Sequence, residues 1–105
     1  MAIKVIIRRF IKKADIYETL SLLKRLRIGA MNQPGYVSGE TLINHYDVRS
    51  IAVISTWQTV EDWNNWQEND KRKVIEAQLE KLTQEPPEIE IYDLGVLLKD
   101  KEFLA

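Results

Sequence analysis

Residues 36–57 read YVSGETLINHYDVRSIAVISTW, and this stretch decides the fold. Two runs rich in β-branched and aromatic residues, 36–45 and 51–57, flank the link Tyr46-Asp47-Val48-Arg49-Ser50. Such runs across a short link form an antiparallel hairpin. Gly39 inside the first run marks a bulge or the close approach of another group. The unbroken Ile51-Ala52-Val53-Ile54 run is that of a strand buried on both faces.

Working outward, each arm of the hairpin meets a helix and then a strand. On the N-terminal side, Asn32-Gln33-Pro34-Gly35 stops a helix and turns the chain. That helix starts at Asp15, which forms a capping box with Glu18 and runs to about Met31. Ile16, Leu20, Leu23, Leu26 or Arg27, and Ala30 fall at helical spacing. Before it, residues 2–10 (AIKVIIRRF) place Ile3, Val5 and Ile7 on one face and Lys4, Ile6 and Arg8 on the other. Arg8 and Arg9 therefore point to opposite faces. On the C-terminal side, Thr59 with Glu61 and Asp62 opens a short helix with Val60, Trp63 and Trp66 on one side. Asn69-Asp70 opens a second one, running to about Gln84 with Ile75, Leu79 and Leu82 inward. Pro86-Pro87 ends it. Residues 88–94 (EIEIYDL) alternate as a last strand.

The order strand–helix–strand–strand–helix–strand is the α+β, ferredoxin-like βαββαβ arrangement, a four-stranded antiparallel sheet with helices on one face. Residues 1–94 make this single domain, and 95–105 are a C-terminal tail. Two helices on one face cannot cover both faces of a sheet that is apolar on both, so a second copy of the sheet is expected there and the protein is expected to be a homodimer. Val96, Leu97, Leu98 and Phe103 make the tail a candidate partner contact.

Composition narrows the function. The chain has 105 residues, 30% charged and 45% hydrophobic, with formal net charge −1, so no global field favours nucleic acid or an anionic membrane. It has no cysteine and one histidine, His45, which removes thiolate chemistry and argues against a metal site. No apolar run approaches the ~20 residues of a membrane span, and no leader-like apolar stretch is visible. The expected compartment is the cytoplasm. No phosphate loop or dinucleotide fingerprint occurs, so no nicotinamide or flavin cofactor is expected.

Arg8-Arg9-Phe10, then Gln33 to Thr41 (QPGYVSGET), Ser55-Thr56-Trp57, Glu61-Asp62-Trp63, Trp66 and Arg72 together resemble the antibiotic biosynthesis monooxygenase (ABM) domain family over residues 2–94. The resemblance implies a dimeric α+β barrel in which two sheets pack face to face. It also implies a ligand cleft in each subunit between sheet and helices. The family includes cofactor-independent monooxygenases of aromatic polyketides, quinol oxidases and haem-degrading enzymes. The haem-degrading members carry an Asn at the end of the first strand, a Trp matched by Trp66, and a haem-ligating His ten residues further on. Here Arg8 and Glu76 hold the Asn and His positions, which disfavours haem.

What remains is a cofactor-independent monooxygenase acting on a small aromatic or quinol substrate. The alternative is a non-catalytic homodimer that binds a small hydrophobic molecule or is purely structural. The expected catalytic residues are Arg8, with Arg9 as the alternative, to stabilise an anion, Glu40, with His45 as the alternative, to take a proton, and Trp66 as a flat wall. Tyr36, Ser38, Trp63 and His45 are expected to bind substrate, with no metal. Arg72, poorly placed for the macrodipole near a helix N-terminus, is expected to make a specific contact with a carboxylate or a partner subunit.

Overall fold

The structure is a computed structural model that describes residues 1–95; the tail contact expected of residues 96–105 lies outside the described residues. Strand β1 (Ile3–Phe10) leads through a short 3-10 turn into helix α1 (Ile16–Met31). Strands β2 (Tyr36–Ile43) and β3 (Ser50–Trp57) follow, then helices α2 (Val60–Gln67) and α3 (Asp70–Glu80), and strand β4 (Glu88–Asp93). The sheet order is β2-β3-β1-β4, and every pairing is antiparallel. This is the ferredoxin-like α+β arrangement expected from the sequence.

Local chemistry sets the elements. Asn44 Oδ1 accepts the N–H groups of Tyr46 and Asp47, closing the hairpin link with an Asx turn. Thr59 Oγ1 accepts the Asp62 N–H, and Asn69 Oδ1 accepts the Lys71 N–H, so both short helices start on the caps their sequences offer. The capping box at Asp15 does not form. The Asp15 side chain makes no cap bond, and Thr19 Oγ1 donates instead to the Asp15 carbonyl oxygen. The preceding 3-10 turn already satisfies part of that helix end, which removes the need for a side-chain cap. The third helix ends at Glu80, short of the expected Gln84, because Gln84 N–H donates to the Phe10 carbonyl oxygen and Ile11 bridges Thr83.

Strand parity divides the molecule. Ile3, Val5, Ile7 and Arg9 are buried under the helices, with Ile51 and Trp57 of β3. Trp57, Trp63 and Trp66 pack with Ile3, Val5, Ile7 and Ala30; Ile11, Leu22, Leu23, Ile51, Ile75 and Leu79 form a second cluster. On the opposite face, Ile6 and Ile54 pair at the centre of the sheet yet stay only half-buried, with Leu42 and Tyr92 exposed. No described helix lies over that face.

The cap on α2 positions two tryptophans at once, so its loss is testable. Thr59→Ala removes the oxygen that accepts from Asp62. The expected cost is about 1 kcal/mol, read as a drop of roughly 4–8 °C in Tm. An unchanged Tm would show that tertiary packing alone holds α2.

Candidate functional site

Between the covered sheet face and the three helices lies a cleft of about 50 Å³. Sheet residues Ile7, Arg9, Thr41, Val53, Ser55 and Trp57 form its floor. Leu26, Arg27 and Ala30 from α1, Trp63 and Trp66 from α2, and Arg72 from α3 form its roof. The aromatic rings interlock edge to face: Tyr36 on Trp57 at 5.4 Å between centroids, and Trp57 on Trp63 at 5.9 Å. Such pairing fixes flat walls with few rotamers left to order.

Two glycines make room for this. A Cβ at Gly29 in α1 would sit 2.6 Å from Cη2 of Trp66, so only glycine lets the helix lie on that indole. A Cβ at Gly39 would sit 2.6 Å from the Tyr36 hydroxyl, so Gly39 is the close approach anticipated from its place in the strand.

The polar end of the cleft is a charge cluster. Arg9 Nη2 donates to Glu76 Oε1 at 2.5 Å, and Arg72 Nη2 lies 3.3 Å from the same oxygen. Both guanidinium groups are buried, and one carboxylate serves both. Burial lowers the Arg9 pKa, opposed by the charge of Glu76 and its hydrogen bond. Burial lowers that of Arg72 too; Glu76 opposes the shift and Arg9 adds to it. The Arg72 guanidinium also sits 5.1 Å from the Trp63 ring centroid, a cation–π contact. Arg27 Nη2 and Trp63 Nε1 are buried and meet no acceptor among the described residues. The cleft therefore has an apolar flat part and an end rich in donors. Among the described residues lining it there is no carboxylate and no imidazole.

The structure brings together Trp66, Trp63 and Tyr36. It separates the other expected site residues from them. Arg8 is exposed on the uncovered face and pairs with Glu90. Glu40 and Ser38 lie on the same uncovered face, opposite Ile54 and Thr56. A register shift between Tyr36 and Ser38 is the cause. Without it the three residues would share a face; the bulge turns Tyr36 toward the helices and leaves the other two outside. His45 is exposed in the hairpin link, edge-on to Tyr46 at 4.8 Å.

Of the alternatives Arg8 and Arg9, it is Arg9 that lines the cleft, because it shares the parity of Ile3, Val5 and Ile7. Arg72 does find the carboxylate expected of it, Glu76. Glu76 is held by the two arginines. No group of metal-ligating side chains occurs among the described residues, and no described helix is long and apolar enough to cross a membrane.

No family model and no curated protein matches the chain. Solved structures match over nearly its full length. An antibiotic biosynthesis monooxygenase superimposes with a TM-score of 0.82 at 16% identity, covering 90% of this chain and 99% of the other. The chain has the antibiotic biosynthesis monooxygenase fold. The same ABM fold is found in SnoaB, a cofactor-independent oxygenase from Streptomyces nogalater, at a TM-score of 0.82 and 18% identity, covering 92% and 96%. A conserved protein from Methanosarcina mazei Go1 gives 0.83 at 20% identity, covering 88% and 91%.

Gly29→Ala tests how the cleft is held open. Alanine gains up to about 1 kcal/mol in helix propensity, but overpacking against the buried indole costs roughly 1–3 kcal/mol. The expected result is a lower Tm with a changed Trp66 environment in fluorescence. A higher Tm with an unchanged spectrum would mean that α1 does not rest on Trp66.

Proposed function

We propose that the protein is a cofactor-independent monooxygenase acting on a small aromatic or quinol substrate, and that it works as a homodimer. The observation that carries the reading is the cleft itself: Trp63, Trp66 and Tyr36 line an apolar slot that ends at Arg9 and Arg72. SnoaB, with the same fold, is a cofactor-independent oxygenase.

In this chemistry the substrate supplies the electrons. In an anthrone-type substrate a ring methylene loses a proton to give an enolate, which passes electrons to dioxygen and forms a carbon–oxygen bond. The resulting peroxide loses water and leaves a ring carbonyl. The carbon gives up four electrons and dioxygen takes four; one oxygen atom stays on carbon and the other leaves as water. Tryptophan and tyrosine faces hold the ring flat. Arg9 and Arg72 stabilise the enolate and the peroxide anion, the role first expected of Arg8. With no carboxylate or imidazole in the described lining, the proton passes to solvent as the guanidinium field favours the anion.

The cavity of about 50 Å³ is smaller than a single aromatic ring needs, since cavities that take up benzene measure about 150 Å³. Substrate entry therefore requires the wall to widen, and of the apolar lining side chains Leu26 is half-buried. With no carboxylate or imidazole among the described residues of the lining, a second reading is also favoured, a site that binds its ligand without turnover.

The homodimer rests on the uncovered face, where Ile6, Ile54, Leu42 and Tyr92 lie among Lys4, Arg8, Glu40 and Glu90. Packing two such faces together removes this apolar surface from water.

Oxygen uptake with anthrone and quinol substrates and no added cofactor tests the activity. The wild type should exceed background. Arg9→Met, checked for folding, should lower kcat roughly a hundredfold, and Trp66→Phe should raise KM. No uptake, together with ligand-induced melting shifts, would replace the enzyme with the binding reading. For assembly, sedimentation should give twice the 12.3 kDa chain mass, and Ile54→Lys should give the single-chain mass. A monomeric wild type would remove the dimer.

A further inference from the structure

We infer that the ligand of this cleft is a flat aromatic acid, bound as its carboxylate, with the anionic oxygens taken by Arg27 Nη2 and Trp63 Nε1. The inference deepens the reading above and rests on the same cleft, but it concerns which ring is held, not whether it is oxidised.

The first argument is charge. Arg9, Arg27 and Arg72 all line the cleft. Glu76 is the one described carboxylate in contact with this group, and it is shared by Arg9 and Arg72. Arg27 pairs with no carboxylate among the described residues. Its Nη2 is nevertheless buried, with no acceptor among the described residues. A buried guanidinium corner without a counter-charge is costly. A neutral ring entering the slot would leave that cost in place, whereas a carboxylate would remove it.

The second argument is the indole. Trp57 donates its Nε1–H to Ser55 Oγ at 3.0 Å, as a buried tryptophan ordinarily does. Trp63 is 2% exposed, and its Nε1 donates to nothing among the described residues. The Arg72 guanidinium over its ring draws electron density from the indole and strengthens that N–H as a donor. Two buried donors without an acceptor among the described residues, one charged and one neutral, thus belong to side chains that line one cavity of about 50 Å³. A carboxylate supplies two acceptor oxygens on one planar group, which matches such a pair.

The third argument is the remainder of the slot. Ile7, Leu23, Ala30, Val53 and Trp66 are apolar, so the body of the ligand is apolar, and the indole face selects a ring.

A carboxylate is distinguishable from a phenolate by pH. An aromatic carboxylic acid is ionised at neutral pH, whereas a phenol, with a pKa near that of tyrosine at about 10, is not. Arg27 and Trp63 should therefore prefer the acid over the phenol and over the neutral amide of the same ring.

The probes are naphthoate, naphthamide and naphthol at neutral pH, followed by calorimetry and by the ¹H–¹⁵N signals of the indole groups in the full chain. Naphthoate should bind at least about ten-fold more tightly than either neutral analogue, as expected for a charge-assisted pair. The Trp63 Nε1–H signal should move downfield on binding while that of Trp57 stays in place. Arg27→Met should leave the melting temperature unchanged or raise it, and bring the three affinities to within about two- to three-fold of one another. Arg27→Lys should restore part of the preference. Equal affinities in the wild type, no binding of naphthoate, or a preference that survives Arg27→Met would overturn the inference. Naphthoate binding with no oxygen uptake on any anthrone or quinol would leave this inference standing and remove the oxygenase. Uptake on neutral quinols without a preference for naphthoate would do the reverse.

Discussion

The arrangement depends on one buried ion pair, Arg9 with Glu76. Arg9 stands on the covered face of β1 at a position whose neighbours of the same parity are Ile3, Val5 and Ile7. A guanidinium there is tolerated only if something brings a carboxylate to it, and α3 does so with Glu76. The same oxygen takes Arg72, which lies over Trp63, so the pair ties β1 to α3 and α3 to the ring of α2. Charge at one end and aromatic rings along the walls are consequences of a single residue's parity in a strand.

The sheet then serves two ends with its two faces. The covered face carries the cleft, with Gly29 and Gly39 sparing the space that Trp66 and the Tyr36 hydroxyl fill. The uncovered face carries Ile6 and Ile54 at its centre and the Arg8–Glu90 pair beside them. Because side chains alternate strictly, no residue of β1 or β3 contributes to both. The cleft is therefore built within one subunit. An assembly through the other face would act on it only through the rigidity of the sheet.

Most of the architecture was legible because it is written in short-range patterns. The hairpin in 36–57 and the caps at Thr59 and Asn69 all act within a few residues. The uncovered face followed from Ile6 and Ile54. The site was legible only in part, for three physical reasons. Choosing Arg8 over Arg9 ignored the alternation that made Ile3, Val5 and Ile7 the inward set. Grouping Tyr36 with Ser38 and Glu40 assumed a regular strand, and the position of a bulge is set by pairing with β3, not by local composition. Arg27 shared its helical spacing with Leu26, and an arginine there reads as surface until the opposite wall is known. Arg72 was marked by its unfavourable place near a helix start, and the structure shows the carboxylate that compensates it.

The central claim is that Arg9 and Glu76 act as one unit beneath the aromatic cleft. A double-mutant cycle by thermal unfolding measures this directly, with Arg9→Met, Glu76→Leu and the pair together. Glu76→Leu alone leaves two buried guanidinium groups uncompensated and should cost roughly 3–5 kcal/mol. The double variant should be more stable than Glu76→Leu, with a coupling energy of about 1–3 kcal/mol. Single losses that simply add, or a Glu76→Leu variant as stable as the wild type, would contradict the account.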